Sequence, residues 1–474
     1  MPRPFCAVVA TLLAAFSAVQ AAEAPRRPES QQEYWAQVDR KDWSAAIAAA
    51  EQLVTAARAT VPPRPLALAD ALSLLGNAQY GARDYASAEK AFTEALQIVE
   101  QHAGAASPKL LDPLQGLGYT LAASGQHKEA IPPLERALLI DRRSYGLYDI
   151  NQQSVLRQLA ESLHKAGRTA DAERHVLYLG QLGERVYGRR DPRQVPILCY
   201  VADWYGDIGD FLTARAIYRK AIQLVEQKLG PDDPTAVEPL RLLAGTYTKE
   251  LLYSTLGMRT VSRERLPTDA TGVSNEGKQI NPRYLGTEGE KSLERALKIL
   301  QAQPPSAHDT LLDTLIDMGD WFQIKHQADK AMPFYRRAAA LSATLAGATA
   351  TASTQASTPS TTTTPAEPEP LSFPARLYYP SPTNMFRTSM LPADQVDERF
   401  VEVQFTVTGE GEVSGAKVTG ASGTAREVAE TLAAVRAARF RPKFTKGEPV
   451  ETTGMTLREV FRSRKEKEGV DGGR

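Results

Sequence analysis

Arg439-Phe440-Arg441-Pro442 opens a stretch, Ala437 to Val450, in which Lys443 and Lys446 add two cations and Phe444 a second phenylalanine. Residues of these types could contact nucleic acid, form the rim of an active site, or belong to a small domain that grips another protein. The rest of the chain discriminates among the three.

The chain of 474 residues carries 56 basic and 56 acidic residues, a formal net charge of zero. A nucleic-acid binder shows a basic excess or a concentrated basic stripe, so no nucleic-acid partner is expected. No Gly-rich phosphate loop ending in Gly-Lys-Ser/Thr, no His-Glu-x-x-His and no Cys-x-x-Cys occurs. Gly420-Ala421-Ser422-Gly423 lacks the Gly-x-Ser-x-Gly spacing and falls between a predicted strand and helix. The 6 histidines are scattered, and His164 and His175 belong to different predicted helices, which makes a poor metal site. Asp232-Asp233 precede Pro234 as a helix cap would. Cys199 stands among Ile197, Leu198 and Tyr200, the setting of a buried thiol. The expectation is no catalytic residue, no metal, no cofactor and no enzymatic activity.

Length leads to an expectation of roughly two to four domains. The N-terminus has Arg3, an apolar run from Phe5 to about Ala18 and then small residues. That is the layout of a secretory signal, residues 1–21, cleaved after Val19-Gln20-Ala21. Retained, the segment would instead anchor the chain, and membrane association is expected only in that case. No later stretch is long and apolar enough to span a bilayer, which takes about 20 residues.

The elements that position these residues repeat. Ala46, Ala88, Ala130, Ala172 and Ala214 stand 42 residues apart, and so do Gly104, Gly146, Gly188 and Gly230. Within a unit, Leu198, Val201, Ala202 and Tyr205 recur at helical spacing, Gly209-Asp210 break it, and Ala214, Ile217, Tyr218, Ala221 and Leu224 resume it. The unit is therefore two helices, with small residues where they cross. Ala202, Gly209, Ala214, Tyr218 and Ala221 resemble the tetratricopeptide repeat, whose usual period is about 34 residues. The longer step and the texts Gly188-Arg-Arg-Asp-Pro192 and Gly230-Pro-Asp-Asp-Pro234 are similar to the kinesin-light-chain variety. Such a solenoid is expected over residues 31–343, as six helix pairs after a short cap. A polar insertion, read at about 251–288 as a loop, interrupts the fifth pair.

Residues 344–370 are Ala, Thr, Ser and Pro, a composition that buries no core, and are expected to be a disordered linker. The part that follows, 371–465, then reads as a separate, tethered module, with a disordered tail at 466–474. Val401, Val403, Phe405 and Val407 alternate with polar residues as one strand, Val413 to Val418 return as another, and Thr424 with Glu427 cap a helix. Arg436 and Arg439 are expected in that helix's last turn, and a final strand runs through Met455, Leu457 and Phe461. Gly411-Glu412-Val413, Phe440, Pro442 and Gly447 carry a resemblance to the C-terminal domain of TonB-family proteins over about Arg399 to Phe461. The fold class is thus an all-α solenoid of tetratricopeptide helix-turn-helix repeats followed by a small α+β TonB C-terminal-like domain.

The resemblance implies a periplasmic domain that adds an extended peptide of a partner to a sheet edge. The partners implied are proteins or peptides, an outer-membrane receptor or another envelope protein. Thr453, Met455, Thr456, Leu457, Arg458 and Val460 are the candidate edge residues. On the first helices of the repeats, Asn77, Tyr80, Gln115, Tyr119, Arg157, Glu161, His164, Asp203 and Arg241 are the candidates for a concave face that holds a second partner. A periplasmic scaffold is the first reading; an anchored, energy-transducing transport component is the alternative.

Overall fold

A computed structural model describes residues 29–255, 282–304, 307–354, 371–372, 374–379 and 396–464. The leader, the insertion apart from its ends, most of the linker and the tail lie outside them. The chain divides into two compact units, at Val186 and Tyr187.

In the first unit, α1 (Gln32–Asp39) and α2 (Trp43–Ala59) form a short cap pair. Three pairs follow: α3 (Pro65–Gly81) with α4 (Tyr85–Ala103), α5 (Leu111–Ala123) with α6 (His127–Tyr145), and α7 (Gln152–Lys165) with α8 (Thr169–Tyr187). The second unit has α9 (Val195–Asp207) with α10 (Phe211–Lys228), α11 (Val237–Thr255) with α12 (Pro282–Gln301), and α13 (His308–Ile324) with α14 (Ala328–Thr354). This is a solenoid of the tetratricopeptide type. Ala46, Ala88, Ala130, Ala172 and Ala214 are each fully buried, because a side chain larger than a methyl would hold crossing helices apart. The turn inside each pair also keeps the step: Lys41, Arg83, Gly125, Gly167 and Gly209 are 42 apart and all left-handed, with φ of 58°, 64°, 85°, 83° and 85°. Asp42, Asp84 and Asp210 follow three of these turns and cap the next helix by accepting from the amides of Ala45, Ser87 and Thr213. Asp233 likewise accepts from the amide of Thr235 at 2.9 Å.

Two boundaries differ from expectation. Helix α11 continues to Thr255 and α12 begins at Pro282, so both enter the span read as a loop. Helix α14 runs on to Thr354, into the span read as disordered linker, because alanine and threonine following a helical stripe do not break a helix as proline does.

The C-terminal module also belongs to the second unit. Its strands are β1 (Ala375–Tyr378), β2 (Val396–Val407), β3 (Val413–Ala421), β4 (Arg439–Arg441), β5 (Lys443–Thr445), β6 (Glu448–Val450) and β7 (Thr452–Arg464), with α15 (Ala425–Ala437) after β3. A three-stranded antiparallel sheet has the order β3-β2-β7; β1 pairs with β4, and β5 with β6. Val401, Val403, Phe405 and Val407 are buried with Val435, Phe440, Leu457 and Phe461 in one core. The rings of Phe405 and Phe440 lie 5.6 Å apart, so Phe440 anchors the segment after the helix to the sheet. Thr424 and Glu427 form the expected capping box.

Two readings of this module are corrected. The helix ends at Ala437, so Arg439 lies in a strand rather than in a last turn. The module is not merely tethered: β1 and β4 pack on α13, and the Arg441 guanidinium, 2 % exposed, forks onto Asp320 of that helix.

Candidate functional site

The edge strand β7 takes its geometry from β2. The Phe400 amide donates to Ser422 Oγ at 2.9 Å, and its carbonyl accepts from the amides of Ser422 and Gly423 at 2.8 and 3.2 Å. Both backbone groups of Phe400 therefore face β3. Alternation along β2 turns Arg399, Val401, Val403 and Phe405 towards β7. Their partners Phe461, Glu459, Leu457 and Met455 complete that ladder. The residues between them, Thr456, Arg458 and Val460, aim their amides and carbonyls away from β2. No other strand pairs with β7 among the described residues.

Side chains sort by the same alternation. Leu457 and Glu459 are buried on the core face, and Met455 packs against that core; Thr456 and Arg458 are exposed on the other. Leu457, a candidate edge residue through its backbone, thus turns its side chain into the core. Arg458 lies over the Phe400 ring, 3.9 Å from its centroid, and Arg462 pairs with Glu398 at 2.7 Å. Both arginines keep the edge charged. Thr453 stands beside Gly454, whose φ of 74° accommodates the bulge between Thr452 and Met455. Tyr379 donates to Glu459 at 2.8 Å, and burial first, then that carboxylate, pushes the phenol far above its ordinary range.

The first-helix candidates fall in each unit as follows. In the first unit, α3, α5 and α7 lie side by side. Asn77 and Tyr80 are exposed on α3, while Gln115 and Tyr119 on α5 and Arg157, Glu161 and His164 on α7 are half-buried. Asn77, Tyr119 and Glu161 are 42 apart, and so share one position on successive helices. Burial pushes the Tyr119 phenol up to about 12. His164 Nδ1 is 3.1 Å from Thr169 Oγ1. Sequence reasoning missed Asp70 and Asp112, a like-charged pair on α3 and α5; burial first, then Asp70, raises the pKa of Asp112.

In the second unit Asp203 and Arg241 serve internal contacts. Tyr218 donates to Asp203 at 2.5 Å, and burial raises that carboxyl to about 6. Arg241 reaches Asp317 at 2.8 Å and lies 3.7 Å from both Glu238 and Asp313. Burial alone would lower the Arg241 pKa, and these carboxylates outweigh it and raise it.

The helical-repeat array ends in an α+β module whose three-stranded sheet has β3 and β7 at its edges. The family model of the Gram-negative bacterial TonB protein C-terminal matches residues 400–462, and that of the tetratricopeptide repeat matches 68–109 and 197–235. The chain carries tetratricopeptide repeats followed by a TonB C-terminal-like domain; both are scaffold families, and the second points to a Gram-negative envelope protein. No curated protein matches the sequence. Solved structures similar to it include a kinesin-light-chain-type protein of Podosopora anserina with nearly identical TPR-like repeats. That match is 15% identical, covers 42% of this chain and 94% of the other, and has a TM-score of 0.39. BtubC (BKLC) from P. vanneervenii is 17% identical over 69% of this chain and 97% of its own, TM-score 0.33. Aspartyl phosphate phosphatase F from Bacillus subtilis is 12% identical over 72% and 76%, TM-score 0.38. No helix among the described residues is long and apolar enough to cross a membrane.

Proposed function

We propose that this protein is a periplasmic interaction scaffold whose β7 edge captures an extended segment of an envelope protein, such as an outer-membrane receptor, while the first-helix face of its repeats holds a second protein. The observation that carries this reading is the row of outward backbone groups on Thr456, Arg458 and Val460. Main-chain pairing supplies affinity with little regard to side chains. Exposed Thr456 and Arg458 give the added strand a polar neighbour on one face. The candidates on the first unit form a mixed-charge surface with two tyrosines, a composition that suits a protein ligand.

Amide exchange of the full chain tests the edge. With a periplasmic and outer-membrane extract that yields a captured protein, the amides of Thr456, Arg458 and Val460 become protected, and Thr456→Pro abolishes capture. Capture by Thr456→Pro and Arg458→Pro variants at full strength rules out strand addition. For the repeats, joint replacement of Tyr119 and Arg157 abolishes retention of the second protein; unchanged retention leaves that face merely solvated.

The TonB likeness favours a second reading, an energy transducer held by an uncleaved N-terminus. Mass spectrometry of the purified protein separates the two, since a mature start at Ala22 removes the anchor.

A further inference from the structure

Adding 117 to a residue number carries α9–α10 onto α13–α14. Asp203-Trp204-Tyr205 become Asp320-Trp321-Phe322, Ala214 becomes Ala331 and Tyr218 becomes Tyr335. The left-handed turn residue Gly209, φ 85°, becomes His326, φ 60°. In both pairs the tyrosine hydroxyl donates to the aspartate, at 2.5 Å from Tyr218 and 2.9 Å from Tyr335. The two differ in what comes next. Beside α9 lies α11, the first helix of the following repeat, whose Lys249 opposes the burial of Asp203 and bonds Asp207 at 2.9 Å. After α14 no further helix pair follows among the described residues, and the strands β1 and β4 pack on α13 instead.

Trp321, Phe322, Gln323 and Ile324 are all buried. Four consecutive residues at about 100° each go right round a helix, so the end of α13 is covered on every side. Part of that cover is the C-terminal module. Arg441 Nε donates to Asp320 Oδ1 at 2.8 Å, and its Nη2 to Oδ2. Gln323, which stands where the fourth repeat has Gly206, donates to the Glu410 carbonyl at 2.7 Å. At Gly411, φ 77°, an added Cβ would stand 2.0 Å from the Phe440 carbonyl and 2.4 Å from Gln323 Nε2, so the contact leaves no room for a side chain. His326 meets Tyr378 edge-on at 5.5 Å, and Tyr335 lies 6.4 Å from Phe444.

We propose that the C-terminal module is the cap of the solenoid, standing against α13 where the first helix of a further repeat would stand, with Arg441 as the residue that keys it to the Asp320–Tyr335 pair. Repeat arrays need a distinct terminal unit to cover the last packing face, and here a domain with a binding edge of its own supplies it. Arg441 brings Asp320 a cation from the covering element, whereas the next helix beside α9 brings Lys249, which bonds Asp207. Strand alternation makes this economical: Phe440 points into the module's own core, and Arg441, one residue on, reaches the neighbour. It follows that β7 and the first-helix face of the second unit are held at a fixed separation. Two proteins held on these surfaces are then kept near one another, which raises the effective concentration of each for the other.

Amide exchange of the full-length protein, read by mass spectrometry, tests the cap. In Arg441→Met and in Asp320→Asn, peptides over 318–326 and 439–445 exchange at least about tenfold faster than in the parent, the difference expected when a docked contact opens by RT ln 10. Peptides over 201–207 and over β2 and β3 keep their protection. Arg441→Asp combined with Asp320→Arg slows exchange again over 318–326. Unchanged exchange over 318–326 in both single variants overturns the proposal. So does a loss in Asp320→Asn that extends through β2 and β3, because the module would then be unfolding rather than undocking.

Discussion

Asp203 and Asp320 occupy the same position in two repeats, each accepting from a tyrosine fifteen residues on, yet their electrostatic surroundings differ. Asp320 receives a buried guanidinium through two hydrogen bonds. Asp203 has the Tyr218 hydroxyl as its hydrogen-bond partner among the described residues, and burial raises its pKa. Around Arg441, burial by itself would lower the guanidinium's pKa; Asp320 outweighs it and raises it. Burial therefore leaves a carboxylate at Asp203 that is strained by its charge and one at Asp320 that depends on its charge. Neutralising the two should have opposite effects.

The largest effect is expected at Asp320. Asp320→Ala strands Arg441 in a buried site and should cost about 3–5 kcal/mol of the stability of α13 and the module; thermal melting with exchange over 308–324 reads it. A cost below about 1 kcal/mol would mean that the pair is not desolvated in solution. Asp203→Asn should act in the opposite direction. The folded pKa of Asp203, about 6, lies above its model value of 3.8. Its stabilising contribution is therefore present below about pH 4 and is lost as pH rises through 6. The asparagine variant should melt near the parent at pH 4 and above it at pH 8, by at most about 3 kcal/mol at about 1.4 per pKa unit. A difference that does not change with pH would remove the contrast with Asp320.

Two smaller tests probe the packing beneath the carboxylates. Ala88→Leu and Ala130→Leu put bulk at fully buried helix crossings and should cost about 1–3 kcal/mol each; melting like the parent would mean that the 42-residue register is misplaced. Ala202 of the fourth repeat is replaced by Gly319 in the last, and a Cβ there would stand 2.3 Å from the Tyr335 ring. Gly319→Ala should therefore destabilise by about 1–3 kcal/mol although its counterpart is already alanine. An unchanged melting temperature would show that the last pair has slack that the fourth lacks. The least effect on stability is expected from Thr456→Pro at the edge, under about 1 kcal/mol, because edge strands admit proline where the amide faces outward. Leu457→Pro, aimed at the core, should instead unfold the sheet, and circular dichroism separates the two.

The repeats were legible because each position recurs. A buried alanine means little alone, but five in register, followed by five left-handed turns in register, leave one arrangement of helices. Lys41 and Arg83 show the strength of that register, since the turn geometry persists where glycine does not. The sheet was legible through strict alternation from Val401 to Val407. The docking was not. Arg441 occurs once, its partner lies 121 residues away, and two arginines after an alanine-rich helix read most simply as complements of the helix dipole. A signal existed in the repeats: Asp-Trp-Tyr at 203–205 and Asp-Trp-Phe at 320–322 are the same motif, and the second has no following repeat to supply a cation. Strands β1 and β4, four and three residues long, were too short for periodicity to reveal. Leu457 shares its alternation with Met455 and Phe461, so its core face was legible from the strand itself. The outward direction of the Thr456 amide depends on how Phe400 bonds across to Ser422, which no reading of β7 alone could supply.

The module seated on α13 has a consequence for assembly. Each repeat buries one face against its successor, so a bare final repeat would leave that face open to the beginning of another molecule. Head-to-tail contacts of that kind do not close on themselves, and they grow into filaments. A β-fold set across the last helix pair presents no matching helical ridge. A module capping the solenoid in this way ends the chain's translational symmetry and blocks head-to-tail stacking through the last helix pair.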